Sequence, residues 1–197
     1  METVQGEVRQ KPGWWYPAIF IGLVIANTLL AAFGEISTEV APGVSAFYIA
    51  VAFMIAFALW FGGWGVLAAY LGCVLGAGVV GGVPPVVNLY WSLADVWQVL
   101  IPLAAFRAFH ADTGLLTWRD LGVFLAFGWL LNNLAGAAWG SATLALGGVI
   151  PWEGVQATFT NWFIGNLIVT IIITPPLLVY LTPRLRKAGL LVKGTWA

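Results

Sequence analysis

The chain has 197 residues, 61% of them hydrophobic and only 8% charged, with a formal net charge of zero. Soluble domains carry roughly 25% charged residues, so this composition excludes a soluble globular domain and points to a bilayer. Zero net charge argues against a nucleic-acid partner, and the length is expected to hold one membrane domain with no soluble output or catalytic domain.

In chain order, residues 1–13 are expected to form a cytoplasmic N-terminal segment, 14–182 a membrane domain and 183–197 a basic cytoplasmic tail lying at the anionic inner leaflet. Within the membrane domain the apolar runs predict an all-α protein of six transmembrane helices. The first covers 15–33 and is longer than a signal-peptide core, so it is read as a retained helix. The second covers 45–61 and the third 64–80, joined by the tight Gly62-Gly63 turn. The fourth covers 88–106, after Pro84-Pro85. The fifth covers 119–146, with Gly136, Gly140 and Gly147-Gly148 as candidate breaks. The sixth covers 156–181, with Pro175-Pro176 as a candidate kink. The lone cysteine, Cys73, cannot form an intrachain disulfide and reads as a small buried hydrophobe.

All eight Lys and Arg residues (Arg9, Lys11, Arg107, Arg119, Arg184, Arg186, Lys187 and Lys193) fall in the N-terminus, the fourth-to-fifth connection or the C-terminus. The opposite loops hold Glu35, Glu39 and Glu153 and no basic residue. The positive-inside rule then places both termini in the cytoplasm and the chain in the cell (inner, cytoplasmic) membrane. Trp14, Trp15, Trp118 and Trp152 sit near the expected interfaces, where an amphipathic ring is at home.

The polar residues inside the spans carry the functional reading. At ~1.5 Å per helical residue, Asp95 is expected roughly 10 Å below the outer surface. Asn132, Asn133, Asn161, Asn166 and Asn27 fall in the same outer half, with Gln98 near the midplane. In "NLYWSLADVWQ", residues Asn88, Trp91, Asp95 and Gln98 are spaced to share one helix face. Trp129, Asn133, Gly136 and Gly140 share a stripe in the fifth span, and Trp162 and Asn166 do so in the sixth. Lipid cannot pair such groups, so the stripes are expected to face one another as an outward-opening polar and aromatic pocket for a small molecule. The candidate ligand-binding residues are therefore Asn88, Trp91, Asp95, Gln98, Trp129, Asn132, Asn133, Trp162 and Asn166. The competing reading is that the asparagines only tie helix to helix. No basic side chain lies in the membrane to pair with Asp95. Three states are open to it: protonated, ionised and held by donors such as Asn133, Trp91 or Asn166, or awaiting a cationic or hydrogen-bond-donating ligand.

Small residues recur at Ala18, Gly22 and Ala26 in the first span and at Gly72 and Gly76 in the third. Each stripe reads either as internal packing or as a docking face for another membrane subunit. No lysine in a span supports a Schiff-base chromophore, no membrane His pair supports haem or copper, and no phosphate-binding glycine loop is present. Ser141 and Thr143 lack a His partner for nucleophilic chemistry, and His110 with Asp112 reads as a solvated loop pair. Neither a cofactor, a metal nor an enzyme activity is expected.

Over residues 45–180 the chain resembles the integral membrane sensor domain at the N-terminus of bacterial histidine kinases and diguanylate cyclases. The stretches that carry the resemblance are "AFALWFGGWGVLAAYLGCVLGAGVVGG" and "NWFIGNLIVTIIITPPLL", the second with Asn166 in the place of that family's aspartate. The span count, the length and the outward pocket are similar to the S component of energy-coupling-factor transporters. That resemblance implies vitamin or micronutrient binding, with a transmembrane coupling subunit and ATPases docked on small residues of the first helix. The favoured expectation is thus a small-molecule-binding, S-component-like transport subunit. The alternative is a stand-alone membrane sensory or assembly module that binds a signalling protein, and a purely structural subunit ranks third.

Overall fold

In the computed structural model the described residues are 15–34, 39–41, 44–45 and 47–192, with the backbone alone described at 39–41 and 44–45. Arg9, Lys11, Trp14, Glu35 and Lys193, which the orientation reading uses, lie outside them, as does the expected segment 1–13.

The protein is an all-α membrane protein with five helices long and apolar enough to cross a bilayer among the described residues. Helix α1 (Trp15–Phe33) is followed by a short antiparallel ladder of β1 (Glu39–Ala41) and β2 (Val44–Ser45). Helix α2 (Ala50–Phe61) turns at once into α3 (Gly63–Cys73), which continues as a wider π-helical stretch over Val74–Val80. Next come α4 (Pro85–Trp91) and α5 (Leu93–Ala108), two parts of one rod. Another rod is α6 (Trp118–Val123), a π-helical stretch Phe124–Leu131, and α7 (Asn132–Leu146). A 3-10 turn, Trp152–Gly154, leads into α8 (Val155–Lys187).

The second helix is shorter than expected. Residues 44–45 belong to the ladder, so α2 holds 12 residues, ~18 Å of rise against a hydrocarbon core of ~30 Å. Its packing explains the sequence. It touches α3, α5 and α8, and every residue but Phe53 and Phe57 is buried. A helix apolar on all sides belongs inside a bundle. The turn into α3 needs Gly62, whose φ is +58° and whose N–H caps the carbonyl of Ala58 at 2.8 Å.

The fourth span begins earlier than expected, at Pro85, because proline suits a helix's first turn. It is interrupted at Ser92, where the Asp95 N–H bonds the Ser92 carbonyl in a tighter 3-10 turn. In the fifth span Gly136 and Gly140 are not breaks, and the helix ends only at Gly147. Its start is set by a capping box: Asp120 N–H donates to Thr117 Oγ1 at 3.2 Å, and Thr117 N–H donates to Asp120 Oδ2 at 2.9 Å. The sixth runs unbroken through Pro175 and Pro176 to Lys187, 33 residues or about 50 Å. Residues 183–187 of the expected tail are therefore helical, with Arg184, Arg186 and Lys187 in the last turn, where the helix dipole favours cations.

The two small-residue stripes part company. A Cβ on Gly72 would strike Asn27, and one on Gly76 would strike the Thr28 carbonyl and Ala31, so this stripe is where α3 meets α1. Gly22 and Ala18 are exposed, and Gly22 has open space in front of it. Gly72→Leu should therefore destabilise the protein by about 1–3 kcal/mol through overpacking, whereas Gly22→Leu should stay within about 0.5 kcal/mol of wild type. Unfolding of both variants in detergent, followed by circular dichroism, checks the pair; equal losses would contradict the α1–α3 packing.

Candidate functional site

The rod of α4 and α5 delivers its polar residues to three different neighbours. At its start, Asn88 donates from Nδ2 to the carbonyl of Val74 at 3.0 Å and accepts from Ser92 Oγ at 2.8 Å. Val74 opens the π-helical stretch, and the missing side chain of Gly78 leaves room for the Asn88 amide. Two turns on, Asp95 is buried and accepts from the hydroxyl of Tyr48 at 3.1 Å. Its donor is thus Tyr48, not Asn133, Trp91 or Asn166, the candidates the sequence offered. The carboxylate thus lies on the side of α5 that packs on α2 and α3.

Gln98 reaches the third neighbour, α7. Pro102, four residues on, has no N–H, so the Gln98 carbonyl loses its helical partner. Asn132 Nδ2 takes that place at 3.3 Å. Gln98 Nε2 donates to Asn133 Oδ1 at 2.9 Å. Asn133 Nδ2 donates in turn to the Trp129 carbonyl at 2.8 Å and to Thr170 Oγ1 on α8 at 3.2 Å. Gly136 seats the Gln98 side chain, and Gly140 seats the ring of Trp162. That ring meets Trp91 edge-on, centroids 5.9 Å apart. Trp129 is only half-buried, and its indole N–H is spent on the Leu167 carbonyl at 2.9 Å.

All nine candidate residues except Trp129 are buried, but they do two kinds of work. Asn88, Trp129 and Asn133 have their polar atoms engaged between helices. Trp91, Gln98, Asn132, Trp162 and Asn166 keep buried polar atoms with no partner among the described residues. These are the indole N–H groups of Trp91 and Trp162, the oxygens of Gln98 and Asn132, and both amide atoms of Asn166. The residues form one layer: Trp91 and Gln98 on the α4–α5 rod, Asn132 on α7, Trp162 and Asn166 on α8. Asn161 faces outward. Asn27 is buried against Gly72 with both amide atoms unpaired, apart from this layer.

Sequence reasoning missed Tyr48. It also missed the threonines of α8. Thr170, Thr174 and Thr182 are buried; Thr174 donates to the Ala52 carbonyl at 3.2 Å, and Thr182 accepts from Trp60 Nε1 at 2.8 Å. The signal was there, since Trp162, Asn166, Thr170 and Thr174 recur every fourth residue. No protein-family model, curated protein or solved structure matches the chain.

The two kinds of asparagine should separate on substitution. Asn133→Leu strips the Gln98 amide, the Thr170 hydroxyl and the Trp129 carbonyl of a partner and should cost about 2–4 kcal/mol. Asn166→Leu removes two unpaired polar atoms and should leave stability unchanged within about 0.5 kcal/mol or raise it. Chemical unfolding of both in the same detergent reads the difference, and a large loss in Asn166→Leu would reveal a structural partner for that amide.

Proposed function

We propose that the protein binds a small, largely uncharged polar molecule within the membrane, as a substrate-binding subunit of the S-component kind. One observation carries this reading: six buried, unpartnered polar atoms sit on five residues of a single three-helix layer. Each costs about 1–3 kcal/mol if left unmet in a dry interior, which is too much for a set of helix ties. The free groups are three donors and three acceptors, two of the donors on indole rings, which suits a flat molecule bearing amide or amine groups. Asp95 stands one turn away on the same rod and supplies the nearest formal charge.

The membrane placement that goes with this reading is six crossings of the cell membrane, both termini inside, with α2 as a short crossing buried by its neighbours. The positive-inside distribution supports it. Cysteine placed at Glu153 should react with an impermeant reagent added to intact cells, and cysteine at Asp112 should react only after permeabilisation. The reverse pattern would invert the orientation.

Native mass spectrometry of the purified full chain should retain a small ligand on the wild type and lose it in Asn166→Leu. Asp95→Asn should weaken binding by about 2–5 kcal/mol if the carboxylate touches the ligand. Ligand retained at wild-type occupancy in Asn166→Leu would remove the layer as the site. Energised transport requires partners, a coupling subunit with ATPases, and the open face of α1 at Ala18 and Gly22, with Ala26 half-buried beside it, is where they would dock. The same open face favours the second reading, a sensory or assembly module docking a signalling protein. ATPases encoded beside this chain support transport, and a kinase supports sensing.

A further inference from the structure

A second feature stands apart from the polar layer. The end of the bundle that gathers Arg107, Arg119, Arg184, Arg186 and Lys187 contains a cavity of about 550 Å³. Leu59 on α2 and Leu103 and Phe106 on α5 give it an apolar wall, Arg107 and His110 give it a basic one, and Val192 closes the rim. The rim is built firmly. Val192 N–H donates to the Trp60 carbonyl at 3.0 Å, Trp60 donates to Thr182, and Thr182 Oγ1 donates to the Thr113 carbonyl at 3.1 Å.

The charge of this cavity is unbalanced. No Asp or Glu lines it. The carboxylates of the adjoining loop are already engaged. Asp112 pairs with Arg186 at 2.9 Å, the one ion pair among the described residues, and Asp120 accepts the backbone N–H groups of Asp112 and Thr117. Arg119 caps the Phe109 carbonyl at 2.6 Å, which adds a second arginine near the wall. His110 occupies the residue that closes α5. Ala111 N–H bonds the Phe106 carbonyl at 2.9 Å and His110 N–H bonds the Arg107 carbonyl at 3.2 Å, with His110 itself at φ +49°. Glycine is the usual residue for that left-handed position, so an imidazole is held there against its backbone preference.

We propose that this cavity seats the headgroup of an anionic phospholipid. The phosphodiester lies between the Arg107 guanidinium and the His110 imidazole, and the glycerol and first methylenes lie on Leu59, Leu103 and Phe106. Arginine is permanently charged and matches phosphate oxygens in a two-pronged geometry. Basic pockets between membrane helices recognise anionic headgroups in this way. The apolar wall favours a lipid over a free phosphate, and the lack of a lining carboxylate disfavours zwitterionic headgroups, whose ammonium would find no partner.

The test uses the full chain in nanodiscs of phosphatidylglycerol and phosphatidylcholine in equal amounts. Native mass spectrometry of the wild type should find phosphatidylglycerol enriched roughly fivefold among retained lipids. Arg107→Gln should abolish the enrichment. His110→Gly should reduce it while raising the thermal midpoint, because glycine relieves the left-handed position. A wild type that retains both lipids in the bulk ratio overturns the proposal without any variant. Enrichment that survives in folded Arg107→Gln and His110→Gly overturns it as well. So does equal thermal stabilisation by glycerol phosphate alone, which would assign the cavity to a soluble anion.

Discussion

Asn133 is the side chain on which the interior depends. Its amide accepts from Gln98 on α5 and donates to the Trp129 carbonyl on its own rod and to Thr170 on α8. One residue thereby joins three helices at a depth where no water offers an alternative partner. The layer around it is arranged to permit this. Gly136 admits Gln98, Gly140 admits Trp162, and Pro102 frees the carbonyl that draws Asn132 inward. Proline and glycine usually weaken helices, yet here each makes room or supplies an acceptor for a polar side chain.

Much of the fold was legible in the sequence because lipid imposes a length and a polarity on every span. The first and third helices fall almost where the apolar runs end, and the capping box at Thr117 marks the start of the fifth. The misreadings have a common cause. Residues 47–49 are apolar without being helical, so hydropathy could not separate them from the buried helix that follows. The break at Ser92 was invisible because serine is tolerated in helices and the 3-10 turn depends on the Asn88 side chain. The glycines of the fifth span looked like breaks because a sequence does not say which bulky side chain a glycine is making room for.

The site was legible by residue type more than by partner. Polar stripes on three spans were expected to converge, and most of their residues are buried. Periodicity alone could not tell that Asp95 would meet Tyr48 while Gln98 met α7, because residues three apart on a helix stand about 60° from one another, enough to face two different neighbours. Nor could it single out Tyr48, which falls within the expected span 45–61 among apolar neighbours, or rank the asparagines. Asn132 and Asn133 are adjacent and equally buried. One oxygen of the pair is free and the other is committed, for reasons that lie on other helices.

This division between committed and free groups bears on how the layer could open. Asn88, Asn133 and Trp129 hold helices together and would have to stay paired in any working state. The polar atoms of Trp91, Trp162 and Asn166 have no partner among the described residues, so packing alone fixes these side chains. The backbone beside Trp91 is irregular at the Ser92 turn, and the rod that carries Asn132 is irregular in the π-helical stretch before it. Such irregular turns have carbonyls outside the standard helical ladder and shift at lower cost than an unbroken helix. The molecule therefore combines a hydrogen-bonded frame, made by Asn88, Trp129 and Asn133, with a buried aromatic pair, Trp91 and Trp162, held by ring packing alone among the described residues.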